Sequence, residues 1–282
     1  MSSIKAWIAA ARLFAVPWVF ANCFLGASLA GFDLWSYLVA SSIVSALLIS
    51  SHYANAWRDF VLGFDRVDGS VEKPYTAASQ LIPRGMFSVK EAKYATVGWY
   101  LVGLGLFMMF APLRLDVVAV FAMGSFFAAT YSDIWKRHGL GEIPLFVCHG
   151  FGSVVFAYSI IKQVDIQAMA AGVLMGLFAG LVYSIDQWQD VETDFTKRVK
   201  DLAYIIAKAN LKVSFIAHFA ITMVITFHMF FVIMNILPLE TLKAILLLPM
   251  FYIAAVFLDY QFDKGILMFL IAMWMYPVVM AV

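Results

Sequence analysis

Two clusters of oxygen-bearing side chains stand directly after long apolar runs. The first lies in the segment HYANAWRDFVLGFDRVD and the second in SIDQWQDVETDFTKRVK. Their members are Asn55, Asp59, Asp65 and Asp68 in the first, and Asp186, Asp190, Glu192 and Asp194 in the second. A four-residue spacing, as from Asn55 to Asp59, places side chains on one helical face about 6 Å apart along the axis. The second cluster repeats this spacing, so we predict two helices that each present a row of oxygen ligands.

Such rows favour a site for magnesium and diphosphate. A carboxylate within a bilayer costs about 2.5–3.5 kcal/mol, so each row needs water, cations or basic side chains around it. Oxygen ligands without His or Cys favour Mg²⁺, which usually completes its shell with phosphate oxygens. The nearby cations that would balance diphosphate are Lys73, Arg84, Lys197 and Arg198.

Charged residues at a helix end can also simply mark the water boundary. The repeated spacing of the two rows favours the metal site over this alternative. Asp65 and Asp68 follow Gly63 and are expected to lie off the regular helix, so the two interpretations stay open for them. Glu192 falls on another helical face, where a solvated role is favoured.

The elements that carry these rows are membrane-spanning helices. Of the 282 residues 63% are hydrophobic and 13% charged, and the mean hydropathy is +0.88, which excludes a water-soluble globule. Because a span needs roughly 20 apolar residues and lipid offers no partners to the backbone, we predict an all-α bundle of about nine helices around a central cavity. The predicted spans are residues 13–32, 34–56, 90–112, 115–132, 142–161, 166–188, 207–236, 240–258 and 264–281.

The distribution of basic residues predicts a cytoplasmic N-terminus. With that orientation only three of the 19 Lys and Arg residues lie outside, namely Arg114, Lys162 and Lys243. Residues 1–282 are then expected to form one domain, whose cytoplasmic loops 57–89, 133–141 and 189–206 cap the predicted magnesium and diphosphate site. The net charge of +1 argues against a nucleic-acid partner.

The two aspartate motifs resemble those of the UbiA superfamily of intramembrane prenyltransferases. The first motif of that family is written NDxxDxxxD, and NAWRDFVLGFD keeps its Asn and the Asp four residues later. Asp186 and Asp190, followed by Lys197, match the second motif, DxxxD with a following basic residue. The segments GLGE, residues 139–142, and RLFAVPWVFANCFLG, residues 12–26, are also similar to family segments. The Asn, Asp, Gly, Asp spacing looks most like the menaquinone-forming branch, the 1,4-dihydroxy-2-naphthoate polyprenyltransferases.

The sequence departs from the family pattern at three places. Ala56 stands where many members carry a second Asp, and Gly63 occupies the position eight residues after the Asn. Some branches have a YxxxK element after the fourth span, whereas Tyr131 and Lys136 are five residues apart. Lys136 is nevertheless included among the predicted diphosphate-binding residues.

The resemblance implies Mg²⁺-dependent transfer of an isoprenyl group, geranyl to polyprenyl, from its diphosphate through an allylic carbocation to an aromatic or glycerol-phosphate acceptor. In this interpretation Asn55, Asp59, Asp186 and Asp190 are catalytic. The metal ligands are these four together with Asp65, Asp68 and Asp194. Arg12 and His52 are candidates for binding the acceptor. The expected location is the plasma membrane, where membrane lipid surrounds the protein and the active-site loops face the cytoplasm.

Two other functions fit the same residues. A UbiA-type terpene cyclase would form the same cation but close it on itself. An ion- or proton-coupled transporter would also carry intramembrane acids, although transporter sites tend to lie near the midplane and these acids lie at helix ends.

Overall fold

The computed structural model describes residues 3–65, 81–191 and 201–282, and within these ranges the chain forms helices and turns without a β-strand. The α-helices are α1 (Ile4–Ala11), α2 (Val16–Leu29), α3 (Leu34–Leu62), α4 (Val89–Phe110), α5 (Leu115–Thr130), α6 (Glu142–Pro144), α7 (Ser153–Ile161), α8 (Ile166–Gln187), α9 (Leu202–Lys208), α10 (Val213–Ile233), α11 (Leu248–Tyr260) and α12 (Phe262–Ala281). Shorter 3₁₀ and π segments join several of them.

Nine helical segments of the described residues are long and apolar enough to cross a membrane, which confirms the predicted all-α, nine-span fold. They are Ile4–Leu29, Leu34–Leu62, Val89–Phe110, Leu115–His138, Glu142–Ile161, Ile166–Gln187, Val213–Ile233, Leu239–Tyr260 and Phe262–Ala281.

Capping residues place several helix ends away from the predicted boundaries. Helix α1 begins at Ile4 because Ser3 Oγ accepts a hydrogen bond from the Ala6 N–H at 3.3 Å. Helix α3 continues beyond residue 56 to Leu62 and stops where Gly63 adopts a φ of 80°. Most of the segment 133–141, predicted to be a loop, continues the fourth span as helix to His138.

Helix α8 lies at the centre of the bundle, whereas α4 and α5 lie at its edge. In the most apolar window of α8 78% of residues are buried, compared with 17% in the windows of the spans that contain α4 and α5. One core cluster joins α2 and α8 to the C-terminal helices α10, α11 and α12. A second joins α2 and α7 to α3, α4 and α5. Helix α2 therefore connects the two halves of the bundle.

Two glycines allow helices to approach closely where the fifth span packs. A Cβ at Gly26 of α2 would overlap the backbone carbonyl of Val154 in α7. A Cβ at Gly150 would overlap the backbone of Met175 and Gly176 in α8. Small residues at such contacts are typical of membrane helix packing.

Three irregular segments interrupt the helices and border the predicted site. The first span breaks at Arg12, which adopts left-handed backbone angles of φ 48° and ψ 50°. The fourth span changes into a π-helix at Tyr131–Trp135, and the fifth contains another at Leu145–Gly152. π-Helical turns occur often at functional sites, because the extra residue re-aims the side chains that follow.

Candidate active site

One face of α3 changes from apolar to acidic as the helix approaches its C-terminus. Leu47, Ser51, Asn55 and Asp59 follow one another at four-residue intervals and therefore share this face. Leu47 and Ser51 line an apolar cavity, whereas Asp59 is buried with only 2% of its surface exposed. A ligand with an apolar tail and a charged head bound through a cation would fit along such a face.

The Asp59 carboxylate is held by an amide and an ammonium group. Lys136 Nζ lies 2.5 Å from Asp59 Oδ2. With its amide oriented to satisfy its neighbours, Asn55 donates to the two Asp59 oxygens at 2.7 and 3.0 Å. Asn55 and Asp59 thus lie together, as predicted from their spacing. The side-chain NH₂ group of Asn55 donates to Asp59, so the side-chain carbonyl oxygen of Asn55 is available to other partners.

A π-helix explains how Lys136 reaches this carboxylate. The backbone N–H of Lys136 bonds to the carbonyl of Tyr131, five residues earlier, as in a π turn. Residues five apart are therefore one turn apart here, so Tyr131 and Lys136 occupy the relative positions that a four-residue spacing would give in an α-helix. The Tyr131 hydroxyl donates to the hydroxyl of Tyr183 at 3.0 Å and so links this turn to α8.

The second acidic cluster begins at the end of α8. Asp186 is half-buried there, and Gln189 Nε2 donates to its Oδ1 at 3.2 Å. The α-helix ends at Gln187, and residues Trp188–Asp190 form a 3₁₀ turn. The predicted row of four-residue steps on a continuous α-helix therefore ends at this turn.

Several acidic and basic residues of the two predicted clusters and their surroundings lie outside the residues that the structure describes. They are Asp68, Lys73, Glu192, Asp194, Lys197, Arg198 and the side chain of Asp190. Of the remaining candidates, Asp65 folds back over the end of α3, where its N–H bonds to the Asp59 carbonyl at 3.3 Å, and it is an electrostatic neighbour of Lys136. Arg84 is exposed in the turn that precedes α4.

The donor set at Asp59 is compatible with a divalent cation. The described ranges contain no group of three or more His, Cys, Asp or Glu side chains placed to hold a metal. Asp59 nevertheless offers a buried carboxylate that already contacts a cation, the Lys136 ammonium. Oxygen ligands of this kind suit Mg²⁺, so Asp59 fits the predicted metal role.

Arg12 and His52 meet at the break in the first span. His52 Nδ1 donates to the Ala11 carbonyl at 2.8 Å, which the break leaves without its helical partner. The Nε of Arg12 is buried without a hydrogen-bond partner among the described residues. Both predicted acceptor-binding residues therefore lie at the same place, on the inner side of α1 and α3.

Sequence reasoning missed His149, which lies beside these two residues. Its ring centroid is 6.2 Å from that of His52, with an interplanar angle of 63°, and Arg12 is an electrostatic neighbour of both imidazoles. The available signal was a single imidazole within the apolar run LFVCHGFG, next to glycines that permit close packing.

An apolar cavity runs from His149 into the bundle. Its wall is formed by Val19, Ile43, Val44, Leu47, Leu48, Ser51, Val120, Phe121, Gly124, Ala128, Cys148, His149, Gly152 and Phe156. These residues belong to α2, α3, α5, the second π-helix and α7. The polar end of the cavity, at Ser51 and His149, lies one helical turn before Asn55 on α3.

An ion pair that sequence reasoning also missed fastens the end of α3 to the first π-helix. The Arg58 guanidinium bonds to the Asp133 carboxylate and to the Ala129 carbonyl. Arg58 and Asp133 are 25% and 48% exposed, so this pair is far more hydrated than that of Asp59 and Lys136. It contributes to positioning the π turn that carries Lys136.

Comparison with known proteins identifies the family. The model of the UbiA prenyltransferase family matches residues 64–276. The chain belongs to the UbiA prenyltransferase family. It is an intramembrane prenyltransferase, which confirms the predicted enzyme class.

Two curated relatives match most of the chain. Each is named 1,4-dihydroxy-2-naphthoate octaprenyltransferase. The protein from Mycobacterium tuberculosis is 27% identical over 233 residues, and that from Mycobacterium leprae is 26% identical over 234 residues. Both alignments cover 80% of this chain and 78% of the relative.

Solved UbiA structures share the fold along nearly the whole chain. A UbiA homologue from Archaeoglobus fulgidus bound to DMAPP and Mg²⁺ has a TM-score of 0.67, with 13% identity and 97% of each chain covered. A homologue from Aeropyrum pernix K1 in its apo form has a TM-score of 0.68, with 14% identity, and the alignment covers 99% of this chain and 97% of that one. At these identities the likeness shows the fold.

Proposed function

We propose that this UbiA protein transfers an isoprenyl group from an isoprenyl diphosphate to 1,4-dihydroxy-2-naphthoate or a closely similar aromatic acceptor. The observation that carries the proposal is the group of Asn55, the buried Asp59 and Lys136, which begins one helical turn beyond the polar end of an apolar cavity. The acceptor is proposed from the names of the two mycobacterial relatives.

The donor diphosphate would bind at the end of α3. Asn55, Asp59, Asp186 and Asp190 are proposed to hold Mg²⁺, with Asp65, Asp68 and Asp194 as further ligands. When bound, Mg²⁺ would neutralise charge on the diphosphate leaving group and so favour cleavage of the allylic C–O bond. The solved relatives bound to DMAPP or GPP with Mg²⁺ support this assignment.

When the donor binds, the Lys136 ammonium would change its partner from the Asp59 carboxylate to the diphosphate. It pairs with Asp59 at 2.5 Å, and a magnesium–diphosphate ligand would offer phosphate oxygens to the same ammonium. Arg84, Lys73, Lys197 and Arg198 are proposed to add positive charge from the loops. We propose that the segments 57–89, 133–141 and 189–206, although partly helical, cap this site and face the cytoplasm, since the Lys and Arg distribution favours that orientation.

The isoprenyl tail would extend along α3 into the cavity. Ser51 lies one turn from Asn55, and Leu47 and Ile43 follow at further one-turn steps along the same wall. From Asp59 to Ile43 the helix rises about 24 Å, which leaves length for several isoprene units beside an apolar wall. The dry wall would also protect the allylic cation from water.

The acceptor would enter beside the break in the first span. The Arg12 guanidinium is suited to a carboxylate, and its Nε has no hydrogen-bond partner within the described residues. His52 donates from Nδ1 to Ala11, so its neutral ring presents Nε2 as an acceptor for a ring hydroxyl. A hydroxylated aromatic carboxylate complements both groups.

Purified protein in lipid nanodiscs tests the proposal. We would supply geranyl, farnesyl, geranylgeranyl and octaprenyl diphosphates with 1,4-dihydroxy-2-naphthoate, in Mg²⁺ or in EDTA, and measure diphosphate release and prenylated product. Asp59→Asn should abolish both in Mg²⁺. Asp263→Asn, which removes an exposed carboxylate at the start of α12, is the matched control and should keep wild-type rates.

The products distinguish the outcomes. A prenylated naphthoate formed only with Mg²⁺ supports the proposal. A cyclised hydrocarbon or alcohol formed from donor alone would instead assign a terpene cyclase. Undiminished transfer by Asp59→Asn would contradict the assignment of the metal site.

A further inference from the structure

His149 carries an imidazole into the space where the allylic carbon and the acceptor ring must meet. It lines the cavity together with Ser51, one turn of α3 before Asn55. The donor C1 is bonded directly to the diphosphate, so with the diphosphate at Asp59 this carbon must lie near the level of Asn55 and Ser51. His149 therefore lies between the proposed diphosphate site and the apolar wall.

The backbone carbonyl of His149 is held by two hydrogen bonds, whereas its imidazole ring makes no hydrogen bond within the described ranges. Asn22 Nδ2 donates to the His149 carbonyl at 2.8 Å, and Asn22 is fully buried. Ser153 Oγ donates to the same carbonyl at 3.0 Å. The side chain projects from a π-helix that is packed closely against α8 through Gly150. Two polar contacts thus fix the backbone while the ring faces the cavity.

The neighbouring groups are arranged to hold an acidic aromatic molecule against this ring. His52 approaches His149 edge-on at 6.2 Å, but its Nδ1 is committed to the Ala11 carbonyl. Arg12 is near both imidazoles and supplies the positive charge that a carboxylate needs. Arg12 and His52 therefore suit binding, which leaves His149 as the nearby ring with both nitrogens available.

We propose that His149 is the general base that deprotonates the acceptor, an inference that rests on the proposed aromatic transfer. A ring nitrogen of His149 takes the proton from an acceptor hydroxyl. The electron pair of that O–H bond moves into the ring, and the adjacent ring carbon bonds to the allylic C1. The C1–O bond to the donor breaks, and its electron pair leaves on the diphosphate.

The remaining steps restore the aromatic ring. The group displaced from the attacked carbon leaves its bonding electron pair in the ring: a carboxylate departs as CO₂, whereas a proton passes to the released diphosphate. The phenolate oxygen that re-forms takes the proton back from His149. The step requires only the acceptor and the isoprenyl diphosphate.

The test separates base catalysis from donor ionisation. His149→Gln keeps a polar side chain of similar size but removes the basic nitrogen, and His149→Asn is the second variant in case the first does not fold. His218→Gln is the matched control, because His218 lies in α10 against Tyr252, outside the proposed site. Folding is checked by the thermal unfolding midpoint in nanodiscs.

We expect His149→Gln to lower kcat for naphthoate prenylation at least about 100-fold, the usual contribution of a general base. Diphosphate release from donor alone and the KM for the acceptor should stay within about threefold of wild type, and His218→Gln should match wild type throughout. An unchanged kcat would overturn the inference. So would an equal loss of donor ionisation, or a raised acceptor KM with kcat unchanged. Failure of the proposed function looks different, since the wild-type protein itself would then form no prenylated naphthoate.

Discussion

Replacing Lys136 tests whether Asp59 is held as a buried charge pair. Asp59 is 2% and Lys136 16% exposed at the side chain, and their charged atoms are 2.5 Å apart. Lys136→Met would leave the carboxylate desolvated without its counter-ion, which costs about 3–5 kcal/mol of unfolding free energy. Asp59→Asn removes the charge itself, so the double variant should lose much less than the sum of the two single variants.

The double-mutant cycle gives the coupling free energy of the pair. We expect about 2–3 kcal/mol for Lys136 and Asp59, at the upper end of values for contacting residues. The same cycle with Arg58→Met and Asp133→Asn is the internal control. That pair joins the same helix to the same π turn but is 25% and 48% exposed, so its coupling should stay below about 1 kcal/mol.

Unfolding free energies would be measured by SDS titration in mixed micelles, followed by tryptophan fluorescence, for which the chain offers eight Trp residues. Equal coupling energies for the two pairs would refute the reasoning, because burial would then make no difference. A coupling near zero for Lys136 and Asp59 would show that the ammonium does not balance the carboxylate.

Four further substitutions test how the bundle is built. Gly26→Val should lower the thermal unfolding midpoint, because its side chain would meet the α7 backbone at a cost of about 1–3 kcal/mol. Gly98→Val, which points into open space, should change the unfolding free energy by less than about 0.5 kcal/mol. Ser88→Ala removes the capping box of α4 and should cost about 1 kcal/mol in an SDS titration. Tyr131→Phe deletes the bond to Tyr183 and should cost about 0.5–1.5 kcal/mol by the same assay, and no loss would contradict that contact.

The sequence predicts the nine spans well because lipid imposes a minimum apolar length on every crossing helix. It predicts their ends less well, because local caps decide them. Gly63 ends α3 at Leu62, and Ser3 caps the start of α1 at Ile4. A hydropathy profile shows neither of these capping effects.

The contacts of the site depend on backbone irregularities that a spacing rule cannot show. On an α-helix, the five-residue separation of Tyr131 and Lys136 would place their side chains on different faces. The π turn instead brings Lys136 to Asp59. The 3₁₀ turn at Trp188–Asp190 likewise alters the second row. The role of His149 could not be predicted, because a single His in an apolar run forms no recognisable motif and its neighbours in space come from other helices.

The central claim is that the end of α3 binds Mg²⁺ and diphosphate for transfer to an aromatic acceptor. The most direct test is to measure prenylated naphthoate and released diphosphate together, in nanodiscs, for the wild type, Asp59→Asn and Asp263→Asn. We predict equal, Mg²⁺-dependent yields of both products for the wild type and Asp263→Asn, and neither product for Asp59→Asn. Transfer that persists in EDTA, or that Asp59→Asn carries out at the wild-type rate, would contradict the account.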